Sequence, residues 1–574
     1  MKLLNFSIGK VVTVEMGGEP VPTGHIKSPI AEPWIIGVDG PAGNERAIHT
    51  DAIYAFAHSH YDYWHNEIPE IGHSKRDGFF GENLTFDSMD ESTLRIGDVF
   101  SLGDEVLLVV AGPRVPCWKL CWRLGLPRTF QGVFATSGFT GVYFSVRRPG
   151  QVRMNDVAKL LERDKRNPSV AETAILCSGQ SEVPLDRARL ALENDTLSQT
   201  VRFVLQSRLS SISRAPATHV SAWPQWREFI VDQVVDEMPD TKSYYLKPVD
   251  KEELPPFSAG QYVAVRLPHS TAYPTDTMRV WSLSSFASQP TFYRLTIKQQ
   301  SPDGASAWLH RHGRPGSKVA LQAPDGKFVL DTGGFRPIAL IAAGIGITPL
   351  IAMLQSHVAR SPYAAPLYFF YGTTDRLRQA FRRDLDELLE KCDEAYRLYA
   401  FSRPTASDIC GLDYDVEGHL TLQHVKSLMK DNHVGPKGHG ISVPWYEADF
   451  YICGPNAFCV QMRDALIDGG ANPDRTFVEM FSAASVNQGS SGSVNPCTVR
   501  FARSAVTANW MPTTSPTLLE LAEMNGISIP NICRAGTCYS CRTKVLEGDV
   551  TPQEAGADAC LCISRPLSNL ILDA

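Results

Sequence analysis

The chain has 574 residues, 43% of them hydrophobic and 20% charged, with 55 lysines and arginines against 62 aspartates and glutamates and a formal net charge of -7. That balance excludes a strongly basic nucleic-acid binder, a disordered chain and a collagen-like repeat, and the length exceeds what one hydrophobic core supports. Several soluble domains are expected, and no nucleic-acid or membrane partner, because no run of about 18 apolar residues occurs.

The opening stretch "MKLLNFSIGKVVTVEM" turns polar after two leucines and reads as a strand rather than a leader peptide. A cytoplasmic location is therefore expected, with the thirteen cysteines serving as thiols or metal ligands rather than disulfides. Residues 1–150 continue as short strands with glycine turns, including "EVLLVVAG" and "GVYFSVRRPG". After 152 the periodicity turns helical, and "MNDVAKLLER", "SVAETAILC" and "LSQTVRFVLQSRL" predict three short helices ending near 211. "SRAPATHVSAWP" then reads as a linker.

Within this third, "GHIKSPI", "HYDYWHNEIPE", "FGENLTFDSM", "PCWKL" and "GFTGVYFSVRRPGQV" follow one another in an order that resembles the molybdenum cofactor sulfurase carboxy-terminal (MOSC) domain and its three-helix appendix. The resemblance implies a β-barrel-like domain over 1–150 and the appendix over 151–213. It also implies that Cys117 is the catalytic residue, as a molybdenum ligand or a sulfur-handling thiolate. Arg114 and Lys119 flank it, and cationic neighbours lower a thiol's pKa. The family's glycine-rich segment before "HYDYW" is replaced here by Ala47-Ile48-His49-Thr50-Asp51-Ala52, shorter and without glycine. His58 and His60, two apart, do not share a helix face and read as surface or core residues. Cys121, at i+4 from Cys117, reads equally as a neighbour on the same face or as packing.

From 225 to 333, "QYVAVRLP", "FYRLTIK" and "KVALQAP" alternate with turn residues, the pattern of a small antiparallel barrel. From 334 to 482 the pattern changes to buried strands and helices, beginning with "RPIALIAAGIGITPLIAML". Its turn, Gly344-Ile345-Gly346-Ile347-Thr348-Pro349, lets backbone approach a pyrophosphate at a helix N-terminus. "PFSAGQYVAV", Arg279-Val280-Trp281-Ser282-Leu283-Ser284, "GASAWLH" and Cys453-Gly454-Pro455 resemble, in order, the motifs of the ferredoxin-NAD(P) reductase superfamily. The resemblance implies that Arg279, Trp281, Ser282 and Leu283 meet a flavin, with Trp281 in place of the common tyrosine. It likewise places Gly304, Ser306, Gly344, Gly346 and Thr348 near phosphates, and Cys453, Gly454 and Pro455 at the nicotinamide. FAD is favoured over FMN by likeness to the reductase half of flavohaemoglobins. NADH and NADPH stay open, since Arg376 and Arg378 either meet a 2'-phosphate or face solvent.

A Gly-, Ser- and Asn-rich linker at 483–496 leads to "CRAGTCYSC". Cys533, Cys538 and Cys541 have the four-then-two spacing that wraps a [2Fe-2S] cluster rather than the paired knuckles of a zinc site. Residues 497–574 resemble plant-type ferredoxin, whose β-grasp fold they imply. Cys562-Ile563-Ser564-Arg565 matches the family's last-ligand stretch, so Cys562 rather than Cys560 is the fourth ligand. Only 20 residues separate Cys541 from Cys562, fewer than the family usually has.

The expected molecule is thus a multidomain α/β and β protein in which NADH, flavin and [2Fe-2S] pass electrons to an acceptor. One reading ends the chain at Cys117, with a small, N-hydroxylated substrate and a molybdenum cofactor. A second makes the chain an electron donor to a separate protein such as an oxygenase, and a third invokes a Cys117 persulfide.

Overall fold

The computed structural model describes residues 1–16, 19–46, 51–72, 77–127, 129–178, 183–212, 223, 226–267, 278–300, 304–331, 336–360, 365–392, 394–430, 432–434, 441–481, 493, 495–512, 516–527, 529, 541–551 and 558–574. The expected linkers at 213–224 and 483–496 lie almost wholly outside these residues. No helix among the described residues is long and apolar enough to cross a membrane.

The amino-terminal strands form one sheet in the order Ala158–Glu162, Val99–Leu102, Val106–Pro113, Val142–Arg148, Ile53–Ala57, Leu84–Phe86, Leu3–Ile8 and Ser28–Pro29. A bridge between Lys2 and Val157 joins the first of these to the strand Leu3–Ile8 and closes a barrel. "MNDVAKLLER", expected as a helix, is therefore the closing strand, with Ala158 opposite Leu102 and Leu160 opposite Phe100. Its leucines suit either structure; hydrogen bonding to an open sheet edge decides, and leaves Leu160 and Leu161 42% and 56% exposed. The barrel accordingly runs past residue 150. Three helices do follow, Val170–Ser178, Leu185–Leu192 and Gln199–Ile212, the middle one unforeseen. Val170, Leu176, Val201 and Leu205 join the barrel residues Leu3, Phe86 and Val110 in one core.

The next six strands are antiparallel, in the order Met278–Ser282, Tyr262–Arg266, Lys318–Leu321, Arg227–Met238, Thr241–Pro248 and Tyr293–Lys298. A bridge from Leu283 to Leu295 ties the outer strands together and makes this a second barrel. Beyond it lies a wholly parallel sheet ordered Val416–Glu417, Ala395–Phe401, Leu367–Thr373, Ile338–Ala343, Asp449–Gly454 and Thr476–Met480. Apolar clusters cover both faces, which is why its strands are continuously hydrophobic rather than alternating. The strand order reverses between Ile338–Ala343 and Asp449–Gly454, and at such a reversal a crevice opens at the carboxyl ends of the strands.

The last domain has a mixed five-stranded sheet ordered Val506–Trp510, Cys497–Phe501, Leu570–Leu572, Arg542–Glu547 and Asp558–Cys560. Its helix, Leu518–Met524, begins at a reciprocal cap. The Thr517 hydroxyl accepts from the Glu520 amide at 3.2 Å, and the Glu520 carboxylate accepts from the Thr517 amide at 2.7 Å.

Candidate functional site

Three regions carry chemistry. The first is a cleft in the amino-terminal barrel. Strand Val106–Pro113 delivers Arg114, and Cys117 follows at the cap of helix Trp118–Leu124, half-buried and with extended backbone. The cleft encloses about 80 Å³ and is lined by five basic side chains, His25, Lys27, Arg46, Arg114 and Lys119, beside Cys117. Each is tied down. Arg114 donates to the Phe80 carbonyl, contacts His25 Nε2 and lies 4.7 Å over the Tyr54 ring. Lys119 donates to the Pro22 carbonyl at 2.8 Å, and Lys27 to Asn83 Oδ1 at 2.8 Å.

Such crowding of positive charge tells on the two lysines. Burial pulls Lys27 down to about 7, with Arg114 and Arg46 adding to the effect and Glu82 opposing it. Burial also lowers Lys119, while Cys117 works the other way. Cys121 is pushed up to about 12, chiefly by burial and then by Cys117 and Glu447, so it stays a protonated packing thiol. His60 is a core residue: its ring nitrogen meets the Met89 carbonyl at 3.2 Å and Glu91 at 3.3 Å. Ala47 to Thr50 lie outside the described residues.

The second region is the cleft between the second barrel and the parallel sheet. It encloses about 290 Å³. Arg279, Trp281 and Ser282 from the strand Met278–Ser282 line it, with Gly304 and Ser306 at the start of helix Ala305–His312 and Thr348 at the start of helix Ile347–Val358. Six of the twelve sequence-named cofactor residues thus converge on one cavity. Leu283 does not reach it; this side chain is 0% exposed in the barrel core. Gly344, at φ +54°, turns the chain after the strand, and Gly346 lies against Cys453 so closely that a Cβ would come within 2.2 Å of its carbonyl oxygen. Gly454 is less tightly constrained, with a Cβ there 2.9 Å from the Ala343 side chain, and Pro455 caps helix Asn456–Asp468.

Two residues here were not foreseen. Phe481 lines the cavity, and Glu479, on strand Thr476–Met480, accepts a hydrogen bond from the Ser282 hydroxyl at 3.3 Å. Burial pushes Glu479 up to about 8, against the pull of Ser282. Cys453 is held well above a normal thiol by burial and then by Glu479. The switch point therefore holds a neutral acid, a hydroxyl and a protonated thiol together.

The third region is the cysteine cluster. Cys533 and Cys538 lie outside the described residues. Cys541 and Cys562 are 2% and 4% exposed; Arg542 pairs with Cys560, and the Leu561 amide donates to the Cys541 carbonyl at 3.3 Å. Cys560 ends its own strand, fully buried.

Family models match three stretches of the chain: MOSC domain at residues 41–159, oxidoreductase NAD-binding domain at 340–464 and 2Fe-2S iron-sulfur cluster binding domain at 506–567. A flavohemoprotein of Rhodopirellula baltica is 32% identical over 284 residues, which is 48% of this chain and 65% of that protein. A flavohemoprotein of Bacillus subtilis is 30% identical over 262 residues, covering 45% of this chain and 60% of that one. This chain thus spans less than two thirds of either relative. Among solved structures, phthalate dioxygenase reductase aligns with 23% identity and a TM-score of 0.41, over 61% of this chain and 98% of that one. The chain therefore joins, in one polypeptide, a MOSC domain, a flavin-reductase module with an oxidoreductase NAD-binding domain, and a 2Fe-2S domain.

Proposed function

We propose that the chain is an NADH-dependent flavoprotein iron-sulfur oxidoreductase that delivers electrons to its own amino-terminal cleft, where a small N-hydroxylated compound is reduced at Cys117. The observation that carries the reading is the cavity in which Arg279, Trp281, Ser282, Gly304 and Ser306 face Ile345, Thr348 and Phe481 of the neighbouring domain. FAD supplies the exchange of two electrons for single ones, and a [2Fe-2S] cluster held by Cys533, Cys538, Cys541 and Cys562 supplies one-electron carriage.

The protein's own groups do the rest. The Arg279 guanidinium complements a flavin phosphate, and Trp281 offers a ring for stacking. The helix beginning after Gly304 directs its amide groups at the same charge. Glu479 and Ser282 hold a proton at the nicotinamide end of the cavity. The pairing of Arg376 with Asp413 at 3.5 Å and of Arg378 with Asp375 supports NADH over NADPH in this reading, although both cations stay exposed.

In the amino-terminal cleft the donor set fits a molybdenum cofactor: a thiolate suits a soft metal and the basic lining suits a phosphate. The described residues enclose only part of such a group. Cys117 would hold its metal, and Arg46, Arg114 and Lys119 its anionic end.

The test is turnover. The purified protein should oxidise NADH when given a hydroxylamine or amidoxime, and Cys117→Ser should abolish that activity while sparing NADH-dependent reduction of an artificial dye. Full hydroxylamine reductase activity in the variant contradicts the assignment. The absence of glycine between Ala47 and Ala52 favours a second reading, in which the acceptor is a separate protein such as an oxygenase. Iron without molybdenum, in protein from a host that makes the cofactor, would select it.

A further inference from the structure

The helix that starts after Cys117 is completed by another domain. Its first residue, Trp118, is 7% exposed, yet the apolar cluster that receives it within its own domain has only two other buried members, Met16 and Val21. Val14 and Trp122 pack at the margin. From the same domain the Lys119 ammonium also lies over the ring, 5.8 Å from its centroid. The remaining face is closed by Tyr446 of the nucleotide-binding domain, whose ring meets Trp118 edge-on, with centroids 6.3 Å apart and planes at 81°.

Tyr446 is itself only 3% exposed, and its hydroxyl donates to the Met16 carbonyl at 3.2 Å. The contact does not stand alone. Arg336 of the nucleotide-binding domain lies 3.4 Å from Gln131 of the barrel domain and pairs with Glu447 at 2.9 Å. Glu447 in turn acts on Cys121, three residues along the same helix from Trp118. The Trp118 indole N–H has no hydrogen-bond partner among the described residues, so ring contacts locate it.

We propose that the nucleotide-binding domain buttresses the Cys117 helix from outside the cleft, whose lining it does not join: the Tyr446 ring seats Trp118, and Trp118 fixes the start of the helix on which the Cys117 thiol is poised. Trp118 and Tyr446 are positioning residues, acting through Cys117 and touching no substrate. The inference rests on Cys117 being the reactive thiol of the proposed function, but its test reads that thiol directly and needs no substrate.

The experiment uses the full chain and iodoacetamide as probe, with the Cys117 peptide followed by mass spectrometry. Tyr446→Ala should change the alkylation rate at Cys117 by about tenfold, since a thiol's reactivity follows its exposure and charged surroundings. Tyr446→Phe keeps the ring and should restore the rate to within about twofold of the parent, with NADH-dependent dye reduction unchanged in both. Trp118→Leu approaches the same contact from the other side and serves if Tyr446→Ala does not accumulate. The proposal is overturned if Cys117 in the alanine variant, or in Trp118→Leu, reacts at the parent rate. It is overturned equally if Tyr446→Phe behaves like Tyr446→Ala, for then the ring is not what matters. A protein that shows the alkylation pattern but no hydroxylamine turnover would keep this contact and discard the substrate assignment.

Discussion

Glu479 and the serine that donates to it are 197 positions apart, and the pair becomes visible only when strand Thr476–Met480 docks beside the flavin barrel. A carboxyl raised from 4.5 to about 8 on folding binds its proton more tightly in the native state than in the unfolded one. Stability contributed by this group is therefore greatest below 4.5 and is lost as pH rises toward about 8. Glu479→Gln should flatten that decline, and Ser282→Ala, which removes the hydroxyl opposing the shift, should extend it upward. Urea midpoints followed by flavin fluorescence between pH 5 and 9 would show both. Lys27 makes the opposite kind of prediction. Breaking an N–O bond takes two electrons and two protons and releases water, and an amine lowered to about 7 is an acid poised to give one of those protons. Hydroxylamine turnover should fall as pH rises through 7, and Lys27→Met should remove that limb and cost roughly a hundredfold in kcat. The groups facing Lys27, namely Glu82, Arg114, Arg46 and Asn83, stay in place in the variant.

Among the elements, the strand-turn-helix of 338–358 separates two glycines that look alike in sequence. Gly346→Ala would drive a Cβ into the Cys453 carbonyl at 2.2 Å, whereas at Gly344 nothing lies within 4 Å and only the positive φ of 54° objects. Gly344→Ala should cost about 1–2 kcal/mol, and Gly346→Ala more than that together with a raised KM for NADH, as thermal unfolding and steady-state rates would report. This turn was legible in sequence because a backbone touching backbone admits no side chain, and glycine is the visible trace. Other elements hid. Ala158–Glu162 has helix-forming residues and becomes a strand because a free sheet edge, contributed by residues some sixty positions earlier, offers it hydrogen bonds. Helix Leu185–Leu192 escaped notice because Asp186, Arg187 and Arg189 interrupt its apolar positions. Phe481 could not be assigned since nothing local distinguishes a cavity-lining aromatic from a core one. Trp118 beside Cys117 carried no reading of its own, because its partner belongs to a domain more than three hundred residues away.

At the scale of the molecule, one strand relates the two clefts. Asp449–Gly454 starts just after Tyr446, which touches the Cys117 helix, and ends at Gly454, beside the nicotinamide turn. Its six residues span about 17 Å at a rise of about 3.3 Å each, so the Tyr446 contact with Trp118 and the turn at Gly454 lie at opposite ends of one strand. Under the proposed function, electrons leaving the flavin reach Cys117 by way of the iron-sulfur domain. Cys541→Ser should accordingly lower hydroxylamine turnover to background while leaving NADH-dependent ferricyanide reduction intact, since that dye takes electrons from the flavin. The most direct measurement is an anaerobic titration of the intact chain with NADH, followed by visible absorbance and electron paramagnetic resonance. The account predicts bleaching of the flavin band together with the rhombic signal of a half-reduced two-iron centre; an unchanged spectrum, or bleaching with no such signal, would contradict it.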